Sequence, residues 1–281
     1  MSPTVTRTTV TRNSPRARRP IPHLFPHLLR RRTNGCGDGT VVPVPGILHD
    51  RVLDDLGSRI VLGLLPAGSV VVAESLAGQY GVSMSVVRGA LGVLQSLGLV
   101  TATRRVGIRV QASARWAVLD RRVIGWRLAA ASTRGAQFRS LTELRSAIEP
   151  AAAELAARFA TPETGRRLHE LSIELEREGR EGDLHAFMAL DIRFHALVLE
   201  ASGNELFAAL ADDVAEVLRE RTLQGLMPRR PHEEALRLHR ETADAIERRD
   251  PDAARAAMDR IMRRTAAEVE QVWREAPRAG S

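Results

Sequence analysis

Asp191 and His195 stand four positions apart in LDIRFHALVLEASGNELF, residues 190 to 207. On an α-helix that spacing stacks a carboxylate and an imidazole on one face, within reach of one ion or one small acid. Three readings of the pair stay open: a metal site, a polar pocket for an anionic ligand, and a buried structural pair in which the carboxylate holds the ring. The chain carries no Gly-rich phosphate loop, nucleophile elbow or HExxH motif. Its single cysteine, Cys36, allows neither a disulfide framework nor a CxxC metal knuckle and fits a reducing cytoplasm.

The elements that must position such a pair are mostly helical. With 281 residues, 44% hydrophobic and only 4% aromatic, the chain is long enough for two modest domains. It has no run of eighteen apolar residues, so no membrane span is expected. Charge divides it: residues 1–45 hold eight Arg against one Asp, whereas 135–281 hold 22 Arg against 28 acidic residues. A basic N-terminal half and an acidic C-terminal half point to different partners. There is no lysine at all. Residues 1–45 mix Pro, Thr, Ser, Gly and Arg without periodicity and read as a disordered basic extension, either incidental or a source of nonspecific DNA affinity.

From Ile47 the apolar residues Ile47, Leu48, Val52, Leu53, Leu56, Ile60 and Val61 recur at three- and four-residue steps, predicting an amphipathic helix that stops before Pro66-Ala67-Gly68. Two further helices, about 74–80 and 83–97, are separated only by Gly81 and Val82, and Ser83 is placed to cap the second. GLVTATRRVGIRVQ at 98–111 predicts a two-stranded wing. The order of these elements, with Leu76, Ala77, Gly81, Val82, Ser83, Val87, Arg88, Ala90, Leu91, Leu94, Gly98, Leu99, Val100, Gly107 and Val110, resembles the DNA-binding domain of GntR-type bacterial transcription regulators. That resemblance implies a winged helix whose second reading helix enters the major groove. Ser83, Met84, Ser85 and Arg88 would then face double-stranded DNA, with Arg104, Arg105, Gly107 and Arg109 in the wing. The chain departs from the family at Met84 and Gly89, where Arg and Glu are usual, and at Arg105, which replaces a wing glycine. A thioether cannot make the bidentate guanine contact of a guanidinium, so the operator sequence should differ.

Beyond Trp116 and Trp126, read as aromatic plugs where linker helices meet, six helices are predicted at about 138–160, 163–180, 183–202, 204–226, 232–249 and 251–275. LTELRSAIEPAAAELAA, DIRFH, ASGN and HRETADAIERRDPDAARAAM resemble the all-helical FCD effector domain of the FadR-like branch of the same family. In its metal-containing members an Asp and three His hold zinc, nickel or manganese. The resemblance assigns Asp191, His195 and His239 as ligands, and the fourth position, 22 residues on, is Ile261. Three protein ligands would hold a divalent ion weakly. His232 lies about 10 Å along the helix from His239 and cannot share its ion, while His169 and His185 read as surface residues. Arg145 matches the position that meets an effector carboxylate, with a plain salt bridge to Glu149 as the alternative. Asn204, a capping candidate, is counted with the effector set.

The expectation is therefore a mainly α protein: a basic extension (1–45), a winged helix-turn-helix (46–112), a linker (113–134), and a helical effector-binding and dimerisation bundle (135–277). Its function would be a cytoplasmic, nucleoid-associated homodimeric repressor controlled by a small anionic effector such as a carboxylate or sugar acid. The competing reading is a metal-dependent hydrolase using Asp191, His195 and His239. It leaves the winged helix unexplained and finds no second acid or nucleophile.

Overall fold

The computed structural model describes residues 45–103, 107–228, 230–274, 276 and 278. The basic extension with Cys36, and Arg104 and Arg105 of the wing, lie outside the described residues.

Helix α1 (Pro45–Val61) buries Val52, Leu53, Leu56, Ile60 and Val61. Strand β1 (Val70–Val71) leads to α2 (Ala73–Tyr80), which ends at Gly81 in the left-handed conformation, φ 64°. That backbone is cheap only for glycine, and it turns the chain into α3 (Met84–Ser96). Val87, Ala90, Leu91 and Leu94 are the buried stripe of α3 and pack with α1. Ser83 holds the cap position of α3, but the expected cap bond is absent. Its hydroxyl pairs with that of Ser85 at 2.9 Å instead.

The wing also differs from expectation. Strands β2 (Val100–Thr103) and β3 (Gly107–Val110) pair antiparallel, and β1 joins on the far side to give a three-stranded sheet in the order β1-β3-β2. Val70 lies opposite Arg109 and Val71 opposite Ile108. Val70-Val71-Val72 is too short a β-branched run to reveal a strand partner from sequence alone. Gly107 has φ 108°, and a β-carbon there would stand 3.1 Å from the Val71 carbonyl oxygen, so it serves the sheet's geometry.

Helix α4 (Arg121–Ala129) is capped by Asp120, whose side chain accepts from Arg122 N. One face of α4 places Val123 and Trp126 in the core of the N-terminal domain. The other places Ile124 and Leu128 against Phe138, Leu141 and Val217. Trp116 donates from Nε1 to the Gln111 carbonyl, with the Arg127 guanidinium 5.9 Å from its ring centre.

The bundle comprises α5 (Ala131–Phe159), α6 (Pro162–Glu181), α7 (Leu184–Ala201), α8 (Glu205–Ala208), α9 (Ala211–Leu223), α10 (Glu233–Glu247) and α11 (Pro251–Trp273). α5 starts seven residues before its predicted start because Arg134 donates from Nε and Nη2 to the Leu128 and Ala129 carbonyls, closing the end of α4 onto it. The helix expected over 204–226 is two. After α8 the chain tightens through a bond from Leu210 N to the Phe207 carbonyl, and Asp212 and Asp213 then occupy the first turn of α9, where free amide groups favour negative charge. Small residues Ala152, Ala153, Ala156 and Ala157 on α5 are fully buried and let neighbouring helices close in. No helix among the described residues is long and apolar enough to cross a membrane.

Candidate effector and metal site, and the DNA-reading helix

Asp183 starts α7 by accepting from His185 and Ala186 N, and the helix then buries Phe187, Leu190, Asp191, Phe194, His195 and Val198. Asp191 and His195 thus lie on the inward face, 4% and 1% exposed. His239, 4% exposed, reaches them from the buried face of α10. One Asp191 carboxylate oxygen stands 3.1 Å from His239 Nε2 and 3.5 Å from His195 Nε2. One atom from each of the three side chains falls within 4.8 Å of the others, a separation that one ion can span. Phe194 packs edge-on against both rings.

The outer nitrogens assign the tautomers. His239 Nδ1 lies 2.7 Å from the Ala235 carbonyl, and His195 Nδ1 contacts a Glu149 carboxylate oxygen. Both partners only accept, so each Nδ1 carries a hydrogen and donates it. In neutral rings both Nε2 atoms are then lone pairs facing a carboxylate. His239 Nε2 is buried and has no hydrogen-bond partner among the described residues. Acceptors converging in this way require positive charge among them, as protons or as a cation. An aspartate oxygen and two imidazole nitrogens, with the second nitrogen of each ring held by an acceptor, are a donor set that suits zinc and similar ions.

The acid–base balance agrees. Burial alone would raise the Glu149 carboxyl, but Arg145 and His195 outweigh it and hold it at about 2. Burial likewise opposes ionisation of Asp191, yet His195 and His239 keep it well below the ordinary carboxylate range. Burial pushes His195 down, and Glu149 and Asp191 overcome this, lifting it to about 9.

Arg145 also belongs to the site. Its Nε donates to Glu149 at 2.5 Å, so the predicted salt bridge exists, and the residue still lines the cavity beside Asp191 and His195. Ile261, 4% exposed, lines the same cavity where an imidazole was expected in relatives. The cavity is small, about 30 Å³, room for about two ordered waters. Met227, Pro228, Pro231 and His232 from the α9–α10 connection form part of its wall.

Not every predicted residue is there. Asn204 does not line the cavity. It caps α8 by accepting from Leu206 N at 3.0 Å, which corrects its place in the effector set. His232 precedes α10 as its cap residue, exposed at the cavity wall. His169 joins α6 to α10 through Asp244 at 2.8 Å, and His185 is exposed. Sequence reasoning missed Glu149 as a second contact of His195, and it missed Arg221. Arg221 is 7% exposed, bonds Glu268 through Nη2, and keeps a buried Nε with no partner among the described residues. The i to i+4 step from Arg145 and the apolar run around AIEPAAA could have marked Glu149 as buried. Arg221 carried no such signal, being one arginine among many on an amphipathic helix.

At the other end of the chain, α3 exposes Ser83, Ser85 and Arg88 and half-buries Met84. On β3, Arg109 is exposed but its Nη1 donates to the Gly68 carbonyl at 3.2 Å, so part of its guanidinium is engaged within the domain.

A winged helix joined by a shared helix to a bundle with a buried polar cavity defines a ligand-responsive DNA-binding protein. Residues 48–110 match the gntR family of bacterial regulatory proteins and 140–264 match the FCD domain. The chain is 30% identical over 212 residues to the galactonate operon transcriptional repressor of Escherichia coli K12, covering 74% of this chain and 90% of that protein. It is 28% identical to a probable D-xylose utilization operon transcriptional repressor of Paenarthrobacter nicotinovorans, over 74% of this chain and 82% of that one. The solved structure of Lar, described as controlling expression of the Listeria monocytogenes agr system, shares the fold at a TM-score of 0.53 and 16% identity, covering 80% of this chain and 97% of its own. The protein belongs to the GntR family and is a transcription regulator with an FCD effector domain. The hydrolase reading has no support, since both halves of the chain match regulator domains.

Proposed function

We propose that this regulator binds its operator as a homodimer and represses transcription until a small carboxylate, of the sugar-acid class, enters the cavity beside Asp191, His195 and His239. The observation that carries the reading is the convergence of the Asp191 carboxylate with Nε2 of His195 and Nε2 of His239, the Nδ1 of each ring being held by an acceptor. Those three residues would hold a divalent ion, with Ile261 leaving at least one coordination position to water or effector. When bound, such an ion supplies a Lewis-acidic point that chelates carboxylate and hydroxyl oxygens.

The chain's own residues supply the rest. Arg145 and Arg221 offer guanidinium groups at the cavity wall to an anion, while Phe187 and Ile261 in the wall and Phe194 against both imidazole rings surround the charges with apolar groups that strengthen each charged contact. Arg221 lies on α9, which packs through Val217 against α4, and α4 packs on α1. An anion that draws Arg221 inward therefore acts on the helix that seats the DNA-binding domain. Ser83, Met84, Ser85 and Arg88 enter the major groove, and the wing with Gly107 and Arg109, continued by Arg104 and Arg105, follows the backbone. The names of the galactonate and D-xylose relatives support a sugar-derived effector.

Fluorescence anisotropy with the protein's own promoter DNA tests this. Addition of the correct sugar acid should weaken binding, and prior treatment with a chelator should blunt the response. Promoter binding insensitive to every sugar acid, with or without divalent metal, would remove the effector assignment.

A further inference from the structure

Glu149 on α5 is wholly buried, and its two oxygens serve different residues. Oε1 accepts from Nε of Arg145, one turn away on the same helix, and Oε2 accepts from Nδ1 of His195 on α7. Both partners line the cavity and Glu149 does not, so it stands directly behind the two of them. Burying an ionised carboxylate is expensive unless its oxygens are used, and here both are.

What that arrangement controls follows from the shape of an imidazole. A half turn of the His195 ring would put a carbon where Nε2 now faces Asp191. A carboxylate at Nδ1 forbids this, because the rotated ring would offer it no N–H. The same contact keeps a hydrogen on Nδ1, so that Nε2 is the nitrogen from which a cation would displace the other proton. An apolar side chain of similar volume would fill the space and fix neither. The other oxygen anchors Arg145 by its Nε edge.

We propose that Glu149 is the positioning residue of this site: it fixes the rotamer and tautomer of His195 toward Asp191 and His239 and orients Arg145, so that one carboxylate ties the cation-holding side of the cavity to its anion-holding side. The proposal rests on the metal reading above and adds to it a residue that never touches ion or effector.

The test uses full-length protein with zinc as the probe, its affinity measured by competition with a chromophoric chelator. Glu149→Gln is expected to weaken zinc binding by about 10–100-fold. Nitrogen-15 spectra of the histidine side chains give a readout that loss of packing alone would not produce. Zinc-loaded wild type should show His195 protonated at Nδ1 and metal-bound at Nε2, and the Gln variant should lose that pattern at His195 while keeping it at His239, whose Nδ1 is held by a backbone carbonyl. Should Glu149→Gln fail to fold, the wild-type spectrum still decides, since zinc on Nδ1 of His195 overturns the proposal. Tight zinc binding with an unchanged pattern in both proteins overturns it alone. A wild type that takes up no zinc overturns it together with the metal reading.

Discussion

Trp126 of α4 lies in a notch that Gly57 of α1 leaves open: a β-carbon on Gly57 would stand 2.3 Å from the indole ring. The indole Nε1 also donates to Asp54 on the same helix at 3.2 Å. The opposite face of α4 carries Ile124 and Leu128, packed with Val217 of α9. One short helix thus has the DNA-binding domain on one side and an arginine-bearing wall of the effector cavity behind the other.

Filling that notch should disturb both stability and signalling. Gly57→Val is expected to cost about 1–3 kcal/mol through overpacking and to reduce the change in operator affinity caused by effector. Thermal melting and anisotropy with and without effector check the two parts. An unchanged melting temperature would mean that the indole moves aside without loss.

The notch also shows what a sequence hides. Amphipathic spacing marked α1, because a helix with one buried face repeats its apolar residues every three to four positions. Gly57 sits inside such a pattern and looks like a weak helix former, since its purpose depends on a side chain 69 positions later in the chain. The Asp191–His195 pair was legible from local spacing, and the reach of His239 and Ile261 was legible only by resemblance to a family. Glu149 and Arg221 stayed hidden as functional candidates for the reason Gly57 did: a charged residue's burial is decided by which helices close over it. The split of α8 from α9 and the pairing of β1 likewise depend on contacts made elsewhere.

Restoring an imidazole at position 261 should strengthen metal binding. Ile261 lines the cavity with Asp191, His195 and His239, so Ile261→His adds a fourth nitrogen from α11 to a three-ligand set. Affinity for zinc is expected to rise by at least about tenfold. Elemental analysis before and after chelator treatment measures this on both proteins. A wild type that already retains one chelator-resistant ion would show that another residue completes the shell.

Asp213 gives the bundle a pH dependence of known sign. It is 5% exposed in the first turn of α9, and burial, then the neighbouring Asp212 and Asp120, raise its carboxyl to about 6 against the counteracting charge of Arg121. Its folded value lies above its unfolded one, so the folded state holds the extra proton between about pH 4 and 6. Stability from this residue therefore falls as pH rises through that window and is flat above it. Asp213→Asn should be more stable than wild type at pH 7 by about 1–2 kcal/mol, after allowance for solvent screening and for the favourable helix terminus. The difference should vanish below about pH 4. Denaturant unfolding at the two pH values checks it, and a variant that is less stable at pH 7 would show that the ionised carboxylate is needed where it stands.

At the DNA end, two exposed arginines should behave differently. Arg88 projects from α3 and has no ion pair or side-chain hydrogen bond among the described residues, so its whole guanidinium is available to a base or phosphate. Arg109 already donates Nη1 to the Gly68 carbonyl, and a contact with DNA has only the remainder or must break that bond. Arg88→Ala is expected to weaken operator binding by about 1–3 kcal/mol if it reads a base, with relaxed preference at one position of each half-site. Arg109→Ala should cost less and act equally on operator and unrelated DNA, reducing the slope of log affinity against log salt by about one phosphate contact's worth. Anisotropy titrations of both variants against operator and scrambled duplexes at several salt concentrations separate the two behaviours. Equal loss on both duplexes for Arg88→Ala would make it a backbone contact, and operator recognition would then have to come from Ser85, Met84 or the wing.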